Sequence, residues 1–286
     1  MESAIFKYVK KYSDILFGLE DAQKYLLETL SIFQKFCEDN NIKYSLTYGS
    51  LIGAKREGTI IKWDDDIDLM MEAEEITKLW NCLSELEKYG LSFYHYSTHK
   101  HIYTNEVRIY KKGYYRVLEN SGKEFLTPLC IDIFPINRIR TNDDEFICDK
   151  ENKLLDKISK LKRILILKEA KYNSRNKFRS FLRSIKKLFY LPFSSNYFHK
   201  KIDARLEELY SGESNYVLFS PFANQTYHCY FAKDTLSGVS KIKFGNIEVF
   251  AIDKYDEFLT KVYGNWKKPH DDSDGKIYNS RFLIRL

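Results

Sequence analysis

The chain has 286 residues, which is long enough for one large domain or two smaller ones with a substantial hydrophobic core. Aromatic residues make up 16% of the chain and only 5 residues are proline, so the composition excludes an intrinsically disordered protein. The chain opens without a basic-then-apolar leader and has no run of about eighteen apolar residues, so we expect a soluble, cytoplasmic protein.

The cysteine content and the charge distribution indicate what kind of protein this is and what kind of partner it contacts. The five cysteines are odd in number, scattered and without a CxxC pair, which favours reduced thiols and argues against a zinc site. The net charge of +6 is unevenly distributed, because residues 150–201 contain 16 Lys or Arg and only 3 Asp or Glu. A basic segment of this kind is typical of contact with a membrane surface or with nucleic acid.

The first predicted elements are a helix, a strand and a second helix. Apolar residues at helical spacing predict a helix over 20–40, and alternation predicts a strand at about 43–48. The dipeptide Gly49-Ser50 then separates this strand from LIGAKR, which is typical of a short helix. Such an order presents free backbone N–H groups at the turn, so we expect phosphate binding there.

An acidic cluster follows in the stretch WDDDIDL, which contains Asp64, Asp65, Asp66 and Asp68. A solvated turn is one interpretation, since acidic clusters are usually exposed. The flanking residues are apolar, however, and carboxylates against apolar flanks need a partner such as a hard divalent cation. If the chain is extended, alternation puts Asp64, Asp66 and Asp68 on one face and Asp65 on the other. We therefore expect these three carboxylates to bind Mg²⁺ or Mn²⁺.

A third candidate carboxylate lies further along the chain. A helix is predicted over 72–90, with Gly90 past its end. Strands are predicted at 91–96, 102–110, 114–118 and 129–136. In the last of these, Asp132 stands alone between Ile131 and Ile133. Burying a single acid is costly unless it is paired or bound to metal, so Asp132 is expected at the same site.

Residues 143–210 are predicted to be predominantly helical. Within them, residues 175–193 interleave cations with large apolar side chains, which fits a helix lying on an anionic membrane surface. The alternative is an ordinary amphipathic helix whose apolar face packs on the domain. The tail is predicted to form strands around 216–220, 229–231 and 241–250 and a final helix at about 253–263.

Three sequence blocks resemble a known family. They are TYGSLIGAKREGTIIKWDDDIDL at 47–69, IDIFPI at 131–136 and FGNIEVFAIDKYDEFLTKVYGNWKKP at 244–269. In this order they resemble the LicD phosphotransferases, whose relatives include the fukutin-type proteins. The resemblance implies an α/β (α+β) fold, with a nucleotidyltransferase-like mixed sheet flanked by helices and an added, mainly helical basic segment.

The resemblance also implies an activity. Enzymes of this family transfer a phosphorylated alcohol from a CDP-linked donor to a hydroxyl of a cell-surface glycan, a lipid-linked glycan or a teichoic acid precursor. Phosphocholine from CDP-choline is the best-known case, and polyol phosphates are the main variation. We expect this chain to act in the same way, in the cytoplasm or at the inner face of the cell membrane, with peripheral contact through residues 175–193.

Roles carry over residue by residue. Asp66, Asp68 and Asp132 are expected to be catalytic and to bind the metal ion, with Asp132 as the candidate base and Asp64 as a further metal ligand. Gly49 and Ser50 are expected to bind the donor phosphates. Two further candidates for that role are cations on the short helix, Lys55 and Arg56, although both could equally be surface cations of that helix.

The sequence pattern and the resemblance also predict how the chain is divided. Residues 1–142 are expected to form the nucleotidyltransferase-like core, 143–210 the basic helical segment and 211–286 the part that completes the LicD-type domain.

Three other functions fit parts of the pattern. A nucleotidyltransferase would use the same metal site on an NTP, and a glycosyltransferase could bind a nucleotide sugar through the acidic motif. The Gly49-Ser50 turn and Asp132 favour the first of these over the second. From a different class, the basic segment could bind nucleic acid, but basicity confined to one amphipathic stretch more often marks a solvated face or a membrane contact, so nucleic acid is not the expected partner.

Overall fold

The structure is a computed structural model that describes residues 17–99, 102, 105–120, 123–139, 141–142, 146–147, 149–169, 177–210, 216–219, 230–268 and 282–285. Its α-helices are α1 Leu19–Asp39, α2 Tyr48–Arg56, α3 Ala73–Leu86, α4 Asp149–Glu169, α5 Lys177–Tyr190, α6 Ser195–Tyr210 and α7 Tyr255–Tyr263. Short 3₁₀ helices follow α3 at Glu87–Tyr89 and precede β12 at Lys233–Thr235. In the described residues no helix is both long and apolar enough to cross a membrane.

The strands alternate with these helices along the chain. They are β1 Ser45–Leu46, β2 Ile67–Glu72, β3 Leu91–Tyr94, β4 Val107–Lys111, β5 Tyr114–Asn120, β6 Lys123–Pro128, β7 Ile131–Ile139, β8 Thr141–Asn142, β9 Phe146–Ile147, β10 Tyr216–Phe219, β11 Tyr230–Ala232, β12 Val239–Phe244, β13 Ile247–Ile252 and β14 Phe282–Arg285.

A mixed seven-stranded sheet forms the centre of the fold. Strand β7 pairs in parallel with β2 on one side. On its other side β7 pairs antiparallel with β4 through its first residues and with β10 through its last. Strands β1, β3 and β11 extend the sheet from β2, β4 and β10. The predicted α/β class with a mixed sheet and flanking helices is confirmed.

Helix α1 covers this sheet with its apolar face. Tyr25, Leu26, Leu30 and Phe33 on that face are at most 2% exposed, and the main core joins them to strand residues such as Leu69 and Ile133. The predicted helix at 20–40 is therefore confirmed, and it follows the 3.6-residue period of an amphipathic helix. Burial of this face fixes the helix against the strands that carry the acidic residues.

Several predicted elements have different bounds. The strand expected at 43–48 has only two residues, because Thr47 is the N-cap of α2 and Tyr48 begins that helix. The strand expected at 241–250 is a hairpin of β12 and β13, whose turn contains Gly245 at φ +62°, a conformation that glycine adopts without steric cost. Gly90, at φ +72°, ends the α3 segment as predicted.

Some elements were not predicted at all. Strands β6 and β14 flank β5 in a separate three-stranded sheet, with β14 arriving from the C-terminal end of the chain. The predicted strands at 216–220 and 229–231 correspond to β10 and β11, and positions 220 and 229 lie outside the described residues.

The predicted helical region is confirmed as helices α4, α5 and α6. Helices α4 and α6 pack together around a second, smaller cluster of buried apolar residues, made of Leu154, Leu155, Ile158, Leu165, Phe198 and Ile202. This cluster is separate from the main core, so the basic segment has a hydrophobic centre of its own.

Candidate functional site

The parallel pairing of β2 and β7 brings two of the predicted carboxylates together. Asp68 and Asp132 are register partners on these adjacent strands. Because side chains at paired positions of neighbouring strands point to the same face, both carboxylates lie on one side of the sheet. The two acids were predicted from separate sequence blocks, and the strand pairing is what makes them neighbours.

A cation from the next strand joins this pair. Arg108 of β4 is the register partner of Asp132, and its Nε lies 2.6 Å from Asp132 Oδ1 as an ion pair. The Cys130 thiol donates to the same oxygen at 3.7 Å. Asp132 is therefore held from two directions by its neighbours.

Helix α2 begins beside these strands. The Ser50 hydroxyl accepts a hydrogen bond from the backbone N–H of Asp68 at 2.9 Å, and the Thr47 N–H donates to the Asp68 carbonyl at 3.0 Å. Gly49 and Ser50 lie in the first turn of this helix, whereas the sequence predicted a turn ahead of it. Tyr48 has φ +46°, an uncommon conformation for a non-glycine residue, and such residues often lie at functional sites.

The acidic residues ahead of β2 form a compact group. Oxygen atoms of Asp64, Asp65 and Asp66 lie within 4.8 Å of one another. The expectation that Asp65 faces away is therefore wrong, because β2 begins only at Ile67 and strand alternation does not apply to the three residues before it. The acidic group also packs closely against α2, since a Cβ added at Gly49 would lie 2.8 Å from Asp64 Oδ2.

A second arginine holds this acidic group. Arg116 of β5 donates to the Asp65 carbonyl oxygen, and its Nη2 lies 3.5 Å from Asp65 Oδ2. On the other side, the Gln23 amide of α1 donates to the Asp64 carbonyl at 2.7 Å. The loop that carries the three acids is thus fixed from both α1 and β5.

Burial and then crowding raise the pKa values of three of the carboxylates, Asp64, Asp68 and Asp132. Burial raises the pKa of Asp64 to about 8, and the nearby charge of Asp66 adds to this effect. The pKa of Asp68 is raised well above its usual range by burial and then by the charges of Asp66, Asp132 and Asp64. Burial also raises the pKa of Asp132, although Arg108 opposes that shift. The site therefore has more buried negative charge than its two arginines neutralise.

This charge balance fits a divalent cation. Oxygen ligands from several carboxylates are the set that Mg²⁺ and Mn²⁺ prefer, and Asp64, Asp65 and Asp66 already lie close enough together to share an ion. Crowded carboxylates in a partly buried site are costly without a positive partner. The residues present therefore fit the metal ion that the sequence predicted.

Lys55 and Arg56 lie elsewhere on α2. Both occupy the last turn of this helix, whereas Gly49 and Ser50 occupy the first. The Lys55 ammonium lies 3.8 Å from the centre of the Tyr255 ring. Arg56 pairs with Glu57 at 2.7 Å. The structure does not bring these two cations to the Gly49 end of the helix, so their phosphate-binding role stays a prediction.

Sequence reasoning missed both arginines of the site. Arg108 stands between Val107 and Ile109 in an apolar strand, the same pattern that drew attention to Asp132. The isolated charge in an apolar strand could therefore have identified Arg108 from the sequence. Arg116 lies in YYRVL and carries no comparable signal, because its contact with Asp65 depends on long-range packing.

Comparisons with known proteins match the part of the chain that contains these residues. Residues 41–154 match the sequence model of the family described as LicD/FKTN/FKRP, nucleotidyltransferase domain. The match contains Gly49, Ser50, the acidic cluster and Asp132. The chain is also 27% identical over 280 residues to the lipopolysaccharide cholinephosphotransferase LicD of Haemophilus influenzae, which covers 91% of this chain and 96% of that protein. The family match over residues 41–154 and the similarity along nearly the whole chain lead to one conclusion: the chain contains a region that matches the LicD family, and as a whole it resembles a LicD transferase.

Proposed function

We propose that this protein transfers phosphocholine from CDP-choline to a hydroxyl of a cell-surface glycan precursor in a reaction that depends on Mg²⁺ or Mn²⁺. The observation that carries the proposal is the in-register pair of Asp68 and Asp132 beside the first turn of α2. The name of the Haemophilus relative supports phosphocholine as the group transferred and lipopolysaccharide as the acceptor class. A lipid-linked glycan or a teichoic acid precursor is the corresponding acceptor in other envelopes.

Each residue of the site has a part in this proposal. Asp64, Asp66 and Asp68 would hold the metal ion, which would supply positive charge beside the donor's phosphate oxygens, while Asp65 pairs with Arg116. Gly49 leaves room for the Asp64 carboxylate, and the first turn of α2 directs its free N–H groups towards the donor phosphates. Arg108 holds the Asp132 carboxylate in position, and Arg116 holds the loop of Asp65.

The proposed reaction is a single displacement at phosphorus. The acceptor hydroxyl oxygen forms a bond to the phosphorus of the phosphocholine group, and the bond from that phosphorus to the bridging oxygen breaks. CMP leaves with the bridging oxygen. Asp132 accepts the hydroxyl proton, and its raised pKa makes it a stronger base than an ordinary aspartate. Positioning and charge stabilisation supply most of the rate enhancement in such reactions.

The identity of the products tests this proposal. The purified protein would be incubated with Mg²⁺, a truncated lipooligosaccharide acceptor and one of CDP-choline, CDP-ribitol, CDP-glycerol or CTP, and the acceptor mass and released nucleotide would be measured. The proposal expects CMP release together with an acceptor that gains one phosphocholine. Pyrophosphate release from CTP with an acceptor that gains a nucleotide would instead favour the nucleotidyltransferase activity named in the family description.

We also propose that the protein works in the cytoplasm, at the inner face of the membrane where glycan precursors are assembled. Fractionation of cells that express the full chain would test this location. Recovery in the periplasmic or extracellular fraction would contradict it.

A further inference from the structure

Helix α5 exposes its apolar side. Leu182 is 43% exposed, Leu188 is 62% exposed and Phe189 is 71% exposed. With Ile185, these residues fall on one arc of the helix, because positions three, four and seven residues apart share a face. A large phenylalanine and three aliphatic side chains in water are unfavourable, so this arc is expected to have a partner.

The opposite side of α5 is the one that contacts the protein. The Lys187 ammonium donates to the Lys168 carbonyl of α4, and the Lys168 ammonium donates to the Tyr190 carbonyl at 3.0 Å. On the helical wheel Lys187 lies roughly 160° from Phe189. The amphipathic helix is therefore turned so that its polar side packs on α4, which is the reverse of the packed-helix alternative considered for this segment.

The apolar surface continues past the end of the helix. Leu191 is 57% exposed and Phe193 is 44% exposed in the short connection to α6. We call the six residues Leu182, Ile185, Leu188, Phe189, Leu191 and Phe193 the α5 apolar surface. In the described part of the chain they form the main concentration of exposed large apolar side chains.

Positive charge flanks this surface. Residues 177–193 contain no acidic residue and the five cations Lys177, Arg179, Arg183, Lys186 and Lys187. Of these, Arg183 and Lys186 are exposed, and Lys186 borders the apolar arc, because it lies four residues from Leu182 and three from Phe189. A partner that satisfies both features must present apolar groups at depth and negative charge at its surface. An anionic bilayer has this combination.

We propose that the α5 apolar surface docks the protein on an anionic lipid bilayer, with α5 lying in the plane of the membrane surface. The helix has 14 residues and is about 21 Å long, which is too short to cross a bilayer core of about 30 Å but typical of an interfacial helix. Its apolar side chains enter the acyl region, Lys186 contacts the lipid phosphates, and the exposed Arg183 adds long-range attraction to the anionic surface. Residues 175 and 176 of the predicted membrane contact lie outside the described residues.

Vesicle co-sedimentation of the full chain tests the proposal without any need for catalytic activity. The protein would be mixed with vesicles of phosphatidylcholine alone or of phosphatidylcholine with phosphatidylglycerol, at low and high salt. We expect binding to the phosphatidylglycerol vesicles that is at least tenfold stronger than binding to the neutral vesicles and that weakens with salt. Because no donor or acceptor is present, failure of this test would leave the proposed transferase activity untouched.

Two variants and a control locate the contact. The double variant Leu188→Ser/Phe189→Ser should lose at least tenfold in vesicle affinity, and Arg183→Gln/Lys186→Gln should lose the preference for anionic vesicles. Tyr263→Ser removes an exposed aromatic residue on α7, outside the α5 apolar surface, and should bind as the wild type does. Thermal melting of each variant would verify that it is folded.

Three results would overturn the proposal. The first is no binding of the wild type to anionic vesicles. The second is binding that Leu188→Ser/Phe189→Ser leaves unchanged. The third is a lipid-free dimer, detected by light scattering, that this double variant abolishes, since the surface would then join two copies of the chain. If the first result is accompanied by salt-sensitive binding to single-stranded RNA, nucleic acid replaces the membrane as the partner.

Discussion

At the scale of residues, the site depends on side chains that hold other side chains. Ser50 holds the backbone of Asp68, Arg108 holds Asp132 and Arg116 holds the loop of Asp65. None of these three contributes a carboxylate to the proposed metal site. They matter because a displacement of an ångström at a reacting group lowers the rate by orders of magnitude.

Two buried serines, Ser50 beside Asp68 and Ser45 on β1, separate the positioning of Asp68 from the stability of the fold. Ser50→Ala removes the acceptor of the Asp68 N–H, which should cost about 1–3 kcal/mol in the free energy of unfolding and should also weaken Mg²⁺ binding. Ser45→Ala is the matched control, because the Ser45 hydroxyl accepts the Ile252 N–H at 2.9 Å and does not contact the acidic residues. It should lose stability alone. Urea unfolding and metal titration would be compared, and equal metal affinity in the two variants would contradict this role of Ser50.

Crowding of the carboxylates predicts a variant that gains stability as it loses function. The folded-state pKa of Asp68 is raised above its unfolded value. Below about pH 4 the Asp68 carboxyl is protonated in the folded and the unfolded protein, so it does not affect stability. As pH rises towards the folded-state pKa, the unfolded protein ionises first, and the free energy of unfolding of the metal-free protein falls. Asp68→Asn should raise the midpoint of thermal unfolding in EDTA at neutral pH and lose this advantage in acid.

Asp39 supplies the control for that experiment. The pKa of its exposed carboxylate is lowered by hydrogen bonds from Tyr89 and Lys35, so Asp39→Asn should give no gain at neutral pH. A melting midpoint of Asp68→Asn that is lower than that of the wild type in EDTA would show that the Asp68 charge is already compensated by the protein.

At the scale of elements, helix α2 places the expected phosphate-binding residues Gly49 and Ser50 next to the acidic loop. Gly53 of this helix packs against Thr59 and Ile61, and a Cβ added at Gly53 would lie 2.5 Å from the Thr59 carbonyl oxygen. Residues Leu51 and Ile52 on the same helix are at most 7% exposed. The helix is therefore held in the main core immediately beyond its functional first turn.

Replacement of Gly53 should reveal this close packing. Alanine is the better helix former by about 1 kcal/mol, yet Gly53→Ala should lower the free energy of unfolding by roughly 1–3 kcal/mol because backbone must move. Gly18→Ala is the control, since nothing lies within 4 Å of the added Cβ there; it should cost less than about 1 kcal/mol, because Gly18 is the N-cap of α1 and alanine caps a helix less well than glycine. Urea denaturation would measure both, and a Gly53→Ala protein more stable than the wild type would contradict the packing.

At the scale of the whole molecule, distant parts of the chain meet near the site. Strand β14, from the last residues of the chain, pairs with β5, which carries Arg116. Strands β10 and β11 extend the sheet that contains β7. The division into 1–142, 143–210 and 211–286 stays a prediction, and we propose that the third part completes the fold of the first.

Removal of the last strand should affect the site from a distance. Without residues 282–286, β5 loses its backbone partner at Arg116 and Val117, so Arg116 should hold Asp65 less firmly. We expect kcat/KM to fall on the order of tenfold, about 1.4 kcal/mol, with little change in the far-ultraviolet circular dichroism. Removal of Leu286 alone is the control, since it leaves β14 intact. Unchanged kinetics in the longer deletion would exclude this coupling.

Local patterns in the sequence predicted more of the site than of its surroundings. Asp132 was found because an acid between isoleucines is unusual, and Asp68 because strand alternation holds from Ile67 onwards. The grouping of Asp65 with Asp64 was missed because those residues precede the strand. The partner strand β14 and the contact of Arg116 arise from long-range pairing, which local propensity does not encode.

The proposed function requires that the acidic cluster bind a divalent cation together with a CDP-linked donor. The decisive experiment is calorimetric titration of CDP-choline into the wild type and Asp68→Asn, each with Mg²⁺ and with EDTA. We expect the wild type to bind only with Mg²⁺ and Asp68→Asn to bind at least tenfold more weakly. Equal binding by the two proteins, or binding that EDTA leaves unchanged, would show that the acidic cluster has no such role.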